Sequence, residues 1–584
     1  MLERGLAVLL ALAMVTSGCI GVPSSDGELD EASVEATDPA GAFTGPVEPG
    51  ELSQPVHELD RMVETFLPTH DGTQIHTAEY HPNASGETPV VIQLSPYFGN
   101  LDAEPQAQHG SYWTQVLVER GYTVVHASVR GTGYSEGCFQ LGGEDEIQDA
   151  HDIVKHYHEA DWSNGNVSMI GISYPGTTPW QAAITDPPGL KTVVPMQGIS
   201  DMYRYDHVDG ASYTHGPAFP TYYTALVDWT LVPGNAEGPQ HLLPPLDAFC
   251  PGAADRIEKG YETMAVGTHD EFWDEREYEA QLDQVDVPVF LVHGFQDWNV
   301  DPDNGVPLVD DLPANSKTWI GQWEHNIPFA NTYNEDWSRH DWNMTMVAWF
   351  DRWLKGVDNG VTEREPVLVQ DDAGHWYRAD TWPPEDREPR QLFLAGDGRL
   401  MDEAPPSEVR RMAKDPSNAA TEAPTDAEQA RGPESLRFTS DPLAEDTLVT
   451  GRPTLSLDVA IDQPDGHLVA DLYDEDAEDG PKWLGHAILN LAHRQTRDAR
   501  TPVPQDQFVS VEMQFFPMNS FVPEDHRLRL ELRPEAPDWI HPSPFSPTYE
   551  VQLGGEDPAQ LSFTDLDDPG FEPAPERGQV PWST

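Results

Sequence analysis

One short motif in this sequence has the residue types of a nucleophilic catalyst. Ser173 stands in the pattern G-x-S-x-x-G, directly after the apolar segment NVSMIGI, which predicts a buried strand. A sharp turn from a strand into a helix exposes a serine hydroxyl, and the N-terminus of that helix favours the negative charge that develops during attack on a carbonyl. A turn of small residues without chemistry would produce the same local pattern, so the motif alone does not decide between the two interpretations.

An acid and a histidine follow the serine at positions that suit a catalytic triad. The segment LVHGFQDWNV places Asp297 just after a second apolar run, and KTWIGQWEH places His325 just after a third. The carboxyl ends of parallel strands meet at one edge of a sheet, and serine, acid, histidine is the chain order of the α/β-hydrolase fold. We predict that Ser173 is the nucleophile, His325 the base and Asp297 the acid that orients it. Asp301 and Asp303 lie in the same segment and remain alternatives to Asp297.

Acyl transfer also requires preorganised donors for the oxyanion of the tetrahedral intermediate. The backbone N–H of Tyr174, immediately after the nucleophile, is the first candidate. The second is expected in the loop after the predicted strand PVVIQL, where the sequence SPYFG offers Tyr97. A packing aromatic ring at the edge of a cleft is the alternative interpretation of Tyr97.

Strands and helices that could position these residues alternate from about residue 56 to residue 360. Strands such as VVIQL, TVVHASV and VPVFLVH are almost wholly apolar, which predicts a mainly parallel sheet with helices on both faces. Between about 199 and 284 the alternation stops in an aromatic, Pro-rich segment, which we interpret as a mostly helical cap. The sequence therefore predicts an α/β-hydrolase domain, a doubly wound sheet with a helical cap insertion.

Residues 361–584 have the pattern of a second, all-β domain. Segments such as TLSLDVAI, FVSVEMQFF and RLRLELRP alternate between apolar and polar residues and are separated by Pro, Gly and Asp, which predicts a jelly roll or sandwich. Residues 402–436 are rich in Ala, Pro, Glu and Asp, and we expect a long surface loop or linker there.

The N-terminus has the features of an export signal. Residues 1–18 combine a positive charge, an apolar run too short to span a bilayer and small residues, which predicts a signal peptide. The ending Gly-Cys resembles a lipobox, in which Cys19 takes up lipid; plain secretory cleavage nearby is the alternative. Residues 19–55 predict a flexible tether. We therefore expect an exported protein that is lipid-anchored to the outer face of the cell membrane.

Two further cysteines, Cys138 and Cys250, remain for disulfide chemistry if Cys19 carries lipid. An even pair in an exported protein permits a disulfide, while two buried thiols are the alternative. The sequence does not decide between them, because the geometry of the folded chain determines whether the bond forms.

The chain is strongly acidic, with a formal net charge of −67 that arises from 100 acidic and 33 basic residues. Only seven of the basic residues are Lys. Such a surface repels nucleic acid and anionic headgroups, so we expect no nucleic-acid partner and contact with a membrane only through the lipid anchor. We interpret the charge as adaptation to high salt, where self-repulsion is screened. An ordinary acidic secreted protein is the alternative.

Segments from both halves of the chain resemble one known family. SPYFG, VRGTGYSEG, DWSNGNVSMIGISYPGTT, HGFQDWNV, GQWEH and FDRWLKGVDNG are similar to segments of the cocaine-esterase and X-Pro dipeptidyl-peptidase family of α/β-hydrolases. The segment that begins DPLAEDTLVTGRPTLSLDVAI resembles the C-terminal jelly roll of that family. The resemblance extends from about residue 62 to the end, and it implies the same triad and the same two oxyanion donors, the Tyr97 hydroxyl and the Tyr174 N–H.

The sequence departs from the family pattern at a few positions. Ser128 stands where the family usually has Asp, two residues before an Arg-Gly pair. Asn299 and Val300 replace the carboxylates that bind a substrate amine in the amino-acid-ester-hydrolase branch, which counts against that branch. Other carboxylates could still anchor an amine: Asp206, Asp209 and Asp301.

These observations predict a serine hydrolase that acts on a small ester, an amide or a short peptide and needs no cofactor or metal. The aromatic cap and Trp298 suggest a partly apolar acyl pocket, and esterase and X-Pro dipeptidyl-peptidase activities both remain open. The alternative is a non-catalytic cell-surface binding protein that uses its jelly roll. The oligomeric state is not predicted by these patterns.

Overall fold

The computed structural model describes most of the chain between positions 52 and 566. The described residues are 52–98, 110–214, 220–221, 223, 252–326, 328, 338–363, 366–384, 388–413, 435–477 and 480–566. The expected signal peptide, Cys19, nearly all of the expected tether, Cys250 and part of the cap lie outside them.

The first half of the chain forms a ten-stranded, mainly parallel sheet in the order β1-β2-β4-β3-β5-β6-β9-β10-β11-β12. Two short strands of the cap, β7 and β8, form a separate hairpin. The strands are β1 (Leu59–Pro68), β2 (Gln74–Pro82), β3 (Thr88–Ser95), β4 (Thr123–Ser128), β5 (Ser163–Ile172), β6 (Leu190–Met196), β7 (His207–Val208), β8 (Ala211–Ser212), β9 (Phe290–Gly294), β10 (Lys317–Gly321), β11 (Val367–Gln370) and β12 (Trp376–Ala379).

Helices cover both faces of this sheet, as its apolar strands require. Helices α2 and α3 share one apolar core with the sheet, and helices α1 and α7 share the other. The helices are α1 (Gly110–Val118), α2 (Glu144–Glu159), α3 (Tyr174–Ala183), α4 (Met202–Asp206), α5 (Ala253–Val266), α6 (Glu271–Asp274) and α7 (Trp342–Lys355). Within the described ranges, no helix combines the length and the apolar character needed to cross a bilayer. The doubly wound sheet predicted from the sequence is confirmed.

The sheet extends past position 360, where the sequence pattern suggested that the catalytic domain ends. Strand β11 pairs in parallel with β10, and β12 pairs antiparallel with β11. The stretch VLVQ in β11 is fully buried, and the strand lies between β12 and β10, the strand that leads to His325. The sequence boundary followed the end of helix α7 at Gly356, and periodicity does not show which sheet a later strand joins.

The described residues between Arg390 and Leu566 form a two-sheet β-sandwich. An eight-stranded sheet has the path β14-β13-β24-β17-β23-β15 with β20 and β21 also on β17, and a four-stranded sheet has the order β16-β22-β18-β19. The strands are β13 (Arg390–Leu394), β14 (Leu400–Met401), β15 (Glu408–Ala413), β16 (Leu436–Thr439), β17 (Thr447–Ile461), β18 (His467–Asp476), β19 (Gly480–Asn490), β20 (Val509–Gln514), β21 (Met518–Val522), β22 (Arg527–Arg533), β23 (Thr548–Leu553) and β24 (Gln560–Leu566). One buried apolar core joins both sheets, which confirms the predicted all-β domain.

Strand β15 corrects the prediction of a loop over residues 402–436. It pairs antiparallel with β23 over six residues, and its Met412 side chain is buried in the sandwich core. The charged residues around Met412 hid this strand in the sequence. Residues 414–434 lie outside the described part of the chain.

An aromatic cluster joins the catalytic sheet to the β-sandwich. The ring centroid of Trp298 lies 5.2 Å from that of Trp483 and 5.1 Å from that of Trp539. His486 is fully buried beside them, and this burial, together with the nearby Arg533, lowers its pKa to about 3. The indole of Trp298, which we expected to line an acyl pocket, packs against the C-terminal domain.

Candidate active site

The turn after β5 presents Ser173 in a strained conformation. Ser173 has φ 67° and ψ −136° and directly precedes helix α3. A non-glycine residue in such a region costs about 1–3 kcal/mol, and strain of this kind clusters at functional sites. A Cβ on Gly171 would lie 2.2 Å from the Pro175 carbonyl oxygen, and one on Gly176 would lie 2.3 Å from the Met196 carbonyl oxygen. Both glycines of the motif are therefore needed, and Gly176 allows α3 to approach β6.

The carboxylate of Asp297 and the imidazole of His325 form the acid–base pair predicted from the sequence. His325 Nδ1 lies 2.8 Å from Asp297 Oδ2, and Asp297 is fully buried. The second oxygen, Oδ1, accepts hydrogen bonds from the backbone N–H groups of Asn299 at 3.0 Å and Val300 at 2.9 Å. A buried carboxylate held in this way orients the ring and stabilises its cation.

The two neighbouring acids take other partners. The side chain of Asp303 forms an ion pair with Arg452 at 2.9 Å. Asp301 is buried beside Tyr213, and burial raises the pKa of its carboxyl well above the usual range, with further contributions from Asp297 and Asp303. Of these three acids, it is Asp297 whose carboxylate contacts the histidine.

The environment of His325 favours its protonated form. Burial lowers the pKa of the imidazole, but the Asp297 carboxylate outweighs this effect, so the pKa lies above the ordinary value of 6.5. The structure describes both Ser173 and His325, and their side chains form no hydrogen bond with each other. Catalytic hydrogen bonds are often long in a substrate-free site and tighten when substrate binds.

Both predicted oxyanion donors lie next to Ser173. Tyr174 is the first residue of α3, so its N–H has no partner within the helix. Burial raises the pKa of the Tyr97 phenol well above its usual range, and the adjacent Tyr223 raises it further, while a hydrogen bond with the Ser173 side chain acts in the opposite direction. Tyr97 is therefore a neutral O–H group beside the nucleophile.

Sequence reasoning missed a buried carboxylate that supports the turn. Glu146 Oε2 accepts a hydrogen bond from the Tyr174 hydroxyl at 2.6 Å, and its two oxygens also accept from the N–H groups of Gln140 at 2.6 Å and Gly142 at 2.9 Å. Glu146 is 2% exposed although it lies in the acidic first turn of α2. Its sequence neighbours are also acidic, so no signal separated it from a solvated helix face.

A second missed residue, Gln197, connects the turn to the histidine loop. The N–H of Ser173 donates to the Met196 carbonyl at 3.1 Å. Gln197, which follows Met196, has φ 42°. The Gln197 amide donates at 2.6 Å to the carbonyl of Glu324, which immediately precedes His325. Gln197 therefore fixes the distance between the strand beside the nucleophile and the base.

A group of carboxylates between the cap and the sandwich is compensated by arginines. Arg497 pairs with Asp201 at 3.0 Å and also contacts Glu277, while Arg204 pairs with Glu279 at 2.6 Å. Because the arginines neutralise these acids, the group is an ion-pair network and offers no argument for a metal.

Two of the carboxylates that could anchor a substrate amine differ in exposure, and one of the two cysteines lies among the described residues. Asp206 is fully buried with its carboxylate 3.5 Å from His207, whereas Asp209 is exposed at the surface. Cys138 is disulfide-bonded, and its expected partner, Cys250, lies outside the described residues.

Comparison with known families agrees with this geometry. Residues 71–326 match the model of the X-Pro dipeptidyl-peptidase (S15) family, and residues 359–565 match the X-Pro dipeptidyl-peptidase C-terminal non-catalytic domain. The chain belongs to the X-Pro dipeptidyl-peptidase family. As a member of this family it is a serine hydrolase, which confirms the resemblance seen in the sequence.

Individual relatives of this S15 family member include both curated proteins and solved structures. A putative Xaa-Pro dipeptidyl-peptidase of Bacillus anthracis is 28% identical over 474 residues, which cover 72% of this chain and 75% of the relative. A CocE/NonD family hydrolase from Staphylococcus aureus has a TM-score of 0.69 at 18% identity, over 86% of this chain and 93% of that one. An aminopeptidase from a marine sediment Thaumarchaeota archaeon has a TM-score of 0.69 at 20% identity, over 94% of this chain and 100% of that one. The two structures support the α/β-hydrolase fold with its C-terminal β domain.

The raised pKa of His325 predicts the acid limb of the pH profile of this S15 hydrolase. The base must be neutral, so kcat/KM should fall as the pH decreases through a midpoint above 6.5. Asp297→Asn removes the charge that raises this pKa. We expect it to lower kcat by about 10⁴-fold and to move the midpoint of the residual activity to lower pH.

The control for this measurement is Asp303→Asn, which removes a carboxylate from the same loop but breaks the ion pair with Arg452 instead. It should keep the midpoint of the parent. An unshifted midpoint in Asp297→Asn, or equal shifts in both variants, would contradict the assignment of Asp297.

Proposed function

We propose that this chain hydrolyses ester or amide bonds of small substrates through an acyl-enzyme on Ser173, with His325 as base and Asp297 as its orienting acid. The observation that carries the proposal is the convergence at one sheet edge of a strained serine, two oxyanion donors and a buried Asp–His pair. A non-catalytic binding protein gains nothing from maintaining this strain, and family membership supports a hydrolase.

The chemistry follows from the positions of these groups. Ser173 Oγ attacks the carbonyl carbon while His325 Nε2 takes its proton, and the resulting oxyanion accepts hydrogen bonds from the Tyr97 hydroxyl and the Tyr174 N–H. Collapse breaks the bond to the leaving group, to which His325 returns the proton. A water molecule then attacks the acyl-enzyme by the same route and releases the acid.

We further propose that peptides with an N-terminal X-Pro unit are among the substrates. Both family models that match this chain describe X-Pro dipeptidyl-peptidases, and so does the name of the Bacillus anthracis relative. The candidate anchors for a free amine differ in access, since Asp206 is fully buried whereas Asp209 is exposed.

The test compares two chromogenic substrates in concentrated salt, an X-Pro anilide with a free amine and a simple aryl ester. Wild type should hydrolyse the anilide, and Ser173→Ala should lose at least about 10³-fold in kcat, because the nucleophile is gone. Ser168→Ala is the matched control, because this serine of the same strand donates its hydroxyl to the Thr192 carbonyl at 2.8 Å.

Hydrolysis of the ester alone would restrict the function to a carboxylesterase and contradict the dipeptidyl-peptidase proposal. Activity that survives in Ser173→Ala, or an inactive but folded wild type, would contradict the acyl-enzyme itself and favour a binding protein.

The location of the protein is also a proposal: an exported protein held by lipid on Cys19, with residues 1–18 removed as a signal peptide and residues 19–55 as a tether. The apolar run before Gly-Cys supports it. If Cys19 carries lipid, Cys250 is the remaining partner for the disulfide of Cys138.

Mass spectrometry of the mature protein under non-reducing conditions tests both statements. We expect an N-terminal peptide that begins with a lipid-modified Cys19, a peptide pair joined through Cys138 and Cys250, and release of Cys19→Ser from the membrane fraction. Membrane attachment that is unchanged in Cys19→Ser would contradict the lipid anchor. A free Cys250 thiol would contradict the disulfide pairing.

The net charge of −67 supports a further proposal, that the fold is adapted to high salt. The Debye length shrinks from about 10 Å at 0.1 M salt to about 3 Å at 1 M, so repulsion between surface carboxylates weakens steeply over this range. We expect the thermal midpoint to rise continuously with NaCl and with KCl. A midpoint that is indifferent to salt would contradict adaptation.

A further inference from the structure

The hydroxyl of Tyr97 has more than one polar neighbour among the described residues but only one proton to donate. Its oxygen lies 2.7 Å from the hydroxyl oxygen of Tyr223, a residue of the cap, and it also interacts with the Ser173 side chain. A phenol donates one hydrogen bond and accepts others. Tyr97 can therefore stabilise an oxyanion only while its proton is not committed to Tyr223.

The ring of Tyr223 is held in place by the residue that supplies the other oxyanion donor. It stacks on the ring of Tyr174 with centroids 5.9 Å apart and planes 17° apart. The Tyr174 ring is itself fixed, because its hydroxyl donates to the buried carboxylate of Glu146 at 2.6 Å. Tyr223 thus contacts both residues that provide oxyanion donors.

Thr221, two residues before Tyr223, is packed against helix α5. Thr221 Oγ1 donates to the Ile257 carbonyl at 2.8 Å. A Cβ on Gly260 would lie 2.3 Å from Thr221 Oγ1, so the glycine allows this close approach. These contacts connect Tyr223 to the framework of the cap.

We propose that Tyr223 is a positioning residue. Its hydroxyl donates a hydrogen bond to the Tyr97 oxygen, and the Tyr97 O–H is therefore directed towards the oxyanion. The proposal rests on the proposed function, because it assigns Tyr97 as an oxyanion donor. A hydroxyl that accepts a hydrogen bond becomes a stronger donor, so the bond from Tyr223 also strengthens the bond to the oxyanion.

This arrangement makes the cap part of the oxyanion hole. No proton is transferred between the two tyrosines. Tyr223 keeps its O–H bond while it donates a hydrogen bond to Tyr97, and Tyr97 keeps its own O–H bond while it donates a hydrogen bond to the substrate oxygen. The effect is confined to the transition state, where the charge on that oxygen is largest.

The experiment uses the full-length protein, the substrate that wild type hydrolyses and the variants Tyr223→Phe, Tyr97→Phe and their combination. Tyr223→Phe keeps the ring that stacks on Tyr174 and removes only the hydroxyl. We expect kcat to fall by about tenfold, the value of one hydrogen bond, with KM unchanged within about twofold. Tyr97→Phe should lose about 10²-fold, and the double variant should be no slower than Tyr97→Phe, because Tyr223 acts through Tyr97.

A second readout separates positioning from a merely structural role. An aryl boronic acid that adds to Ser173 carries the tetrahedral negative charge, so its affinity for Tyr223→Phe should weaken by the same factor as kcat/KM. The control is Tyr203→Phe, which removes the hydroxyl of another cap tyrosine that donates to the Gly267 carbonyl at 2.7 Å. It should leave kcat and boronate affinity unchanged.

Unchanged kcat and boronate affinity in Tyr223→Phe would overturn the proposal, and so would a higher KM at constant kcat, which would make Tyr223 a substrate contact. Losses that simply multiply in the double variant would also overturn it. Failure of the proposed function is a separate result, because hydrolysis would then persist in Ser173→Ala.

Discussion

A single buried carboxylate, that of Asp297, determines how the active site is arranged. It lies in the turn after β9 with no exposure to water, and two backbone N–H groups and His325 account for its hydrogen bonds. A buried carboxylate that loses a hydrogen-bond partner is left with an uncompensated charge, so the loop that carries Asp297 and the loop that carries His325 hold each other in position. The same carboxylate raises the pKa of the imidazole and so sets the state of the base.

The catalytic sheet and the positions of Ser173, Asp297 and His325 were predictable because each lies at the end of an apolar strand. The cap residue that contacts both Tyr97 and Tyr174 was not predictable, since Tyr223 is one of several tyrosines in a segment without periodicity. Glu146 and Gln197 were missed for a similar reason: their roles depend on long-range hydrogen bonds that leave no local pattern. The pairing of β11 and β12 with the catalytic sheet was not predictable, because periodicity does not show which sheet a strand joins.

The chain separates its many acids into two kinds of environment. Several described acids inside the fold have specific partners: Asp149 forms a bidentate pair with Arg130 at 2.7 Å, and Asp351 accepts from Tyr122 and Ser53 at 2.6 Å. Others, such as Asp358 and Asp498, are exposed, where water and salt can screen them. The two domains are connected both by aromatic contacts, such as that between Trp298 and Trp483, and by ion pairs, such as that between Arg497 and Asp201.

The central claim is that Ser173 is an activated nucleophile, and labelling with a fluorophosphonate followed by peptide mapping tests it most directly. The reagent phosphonylates only serines whose hydroxyl is activated by a base and whose adduct is stabilised by an oxyanion hole. The account predicts one adduct per folded chain, on Ser173, and none after unfolding. An adduct on a different serine, or no adduct on protein that is folded in concentrated salt, would contradict it.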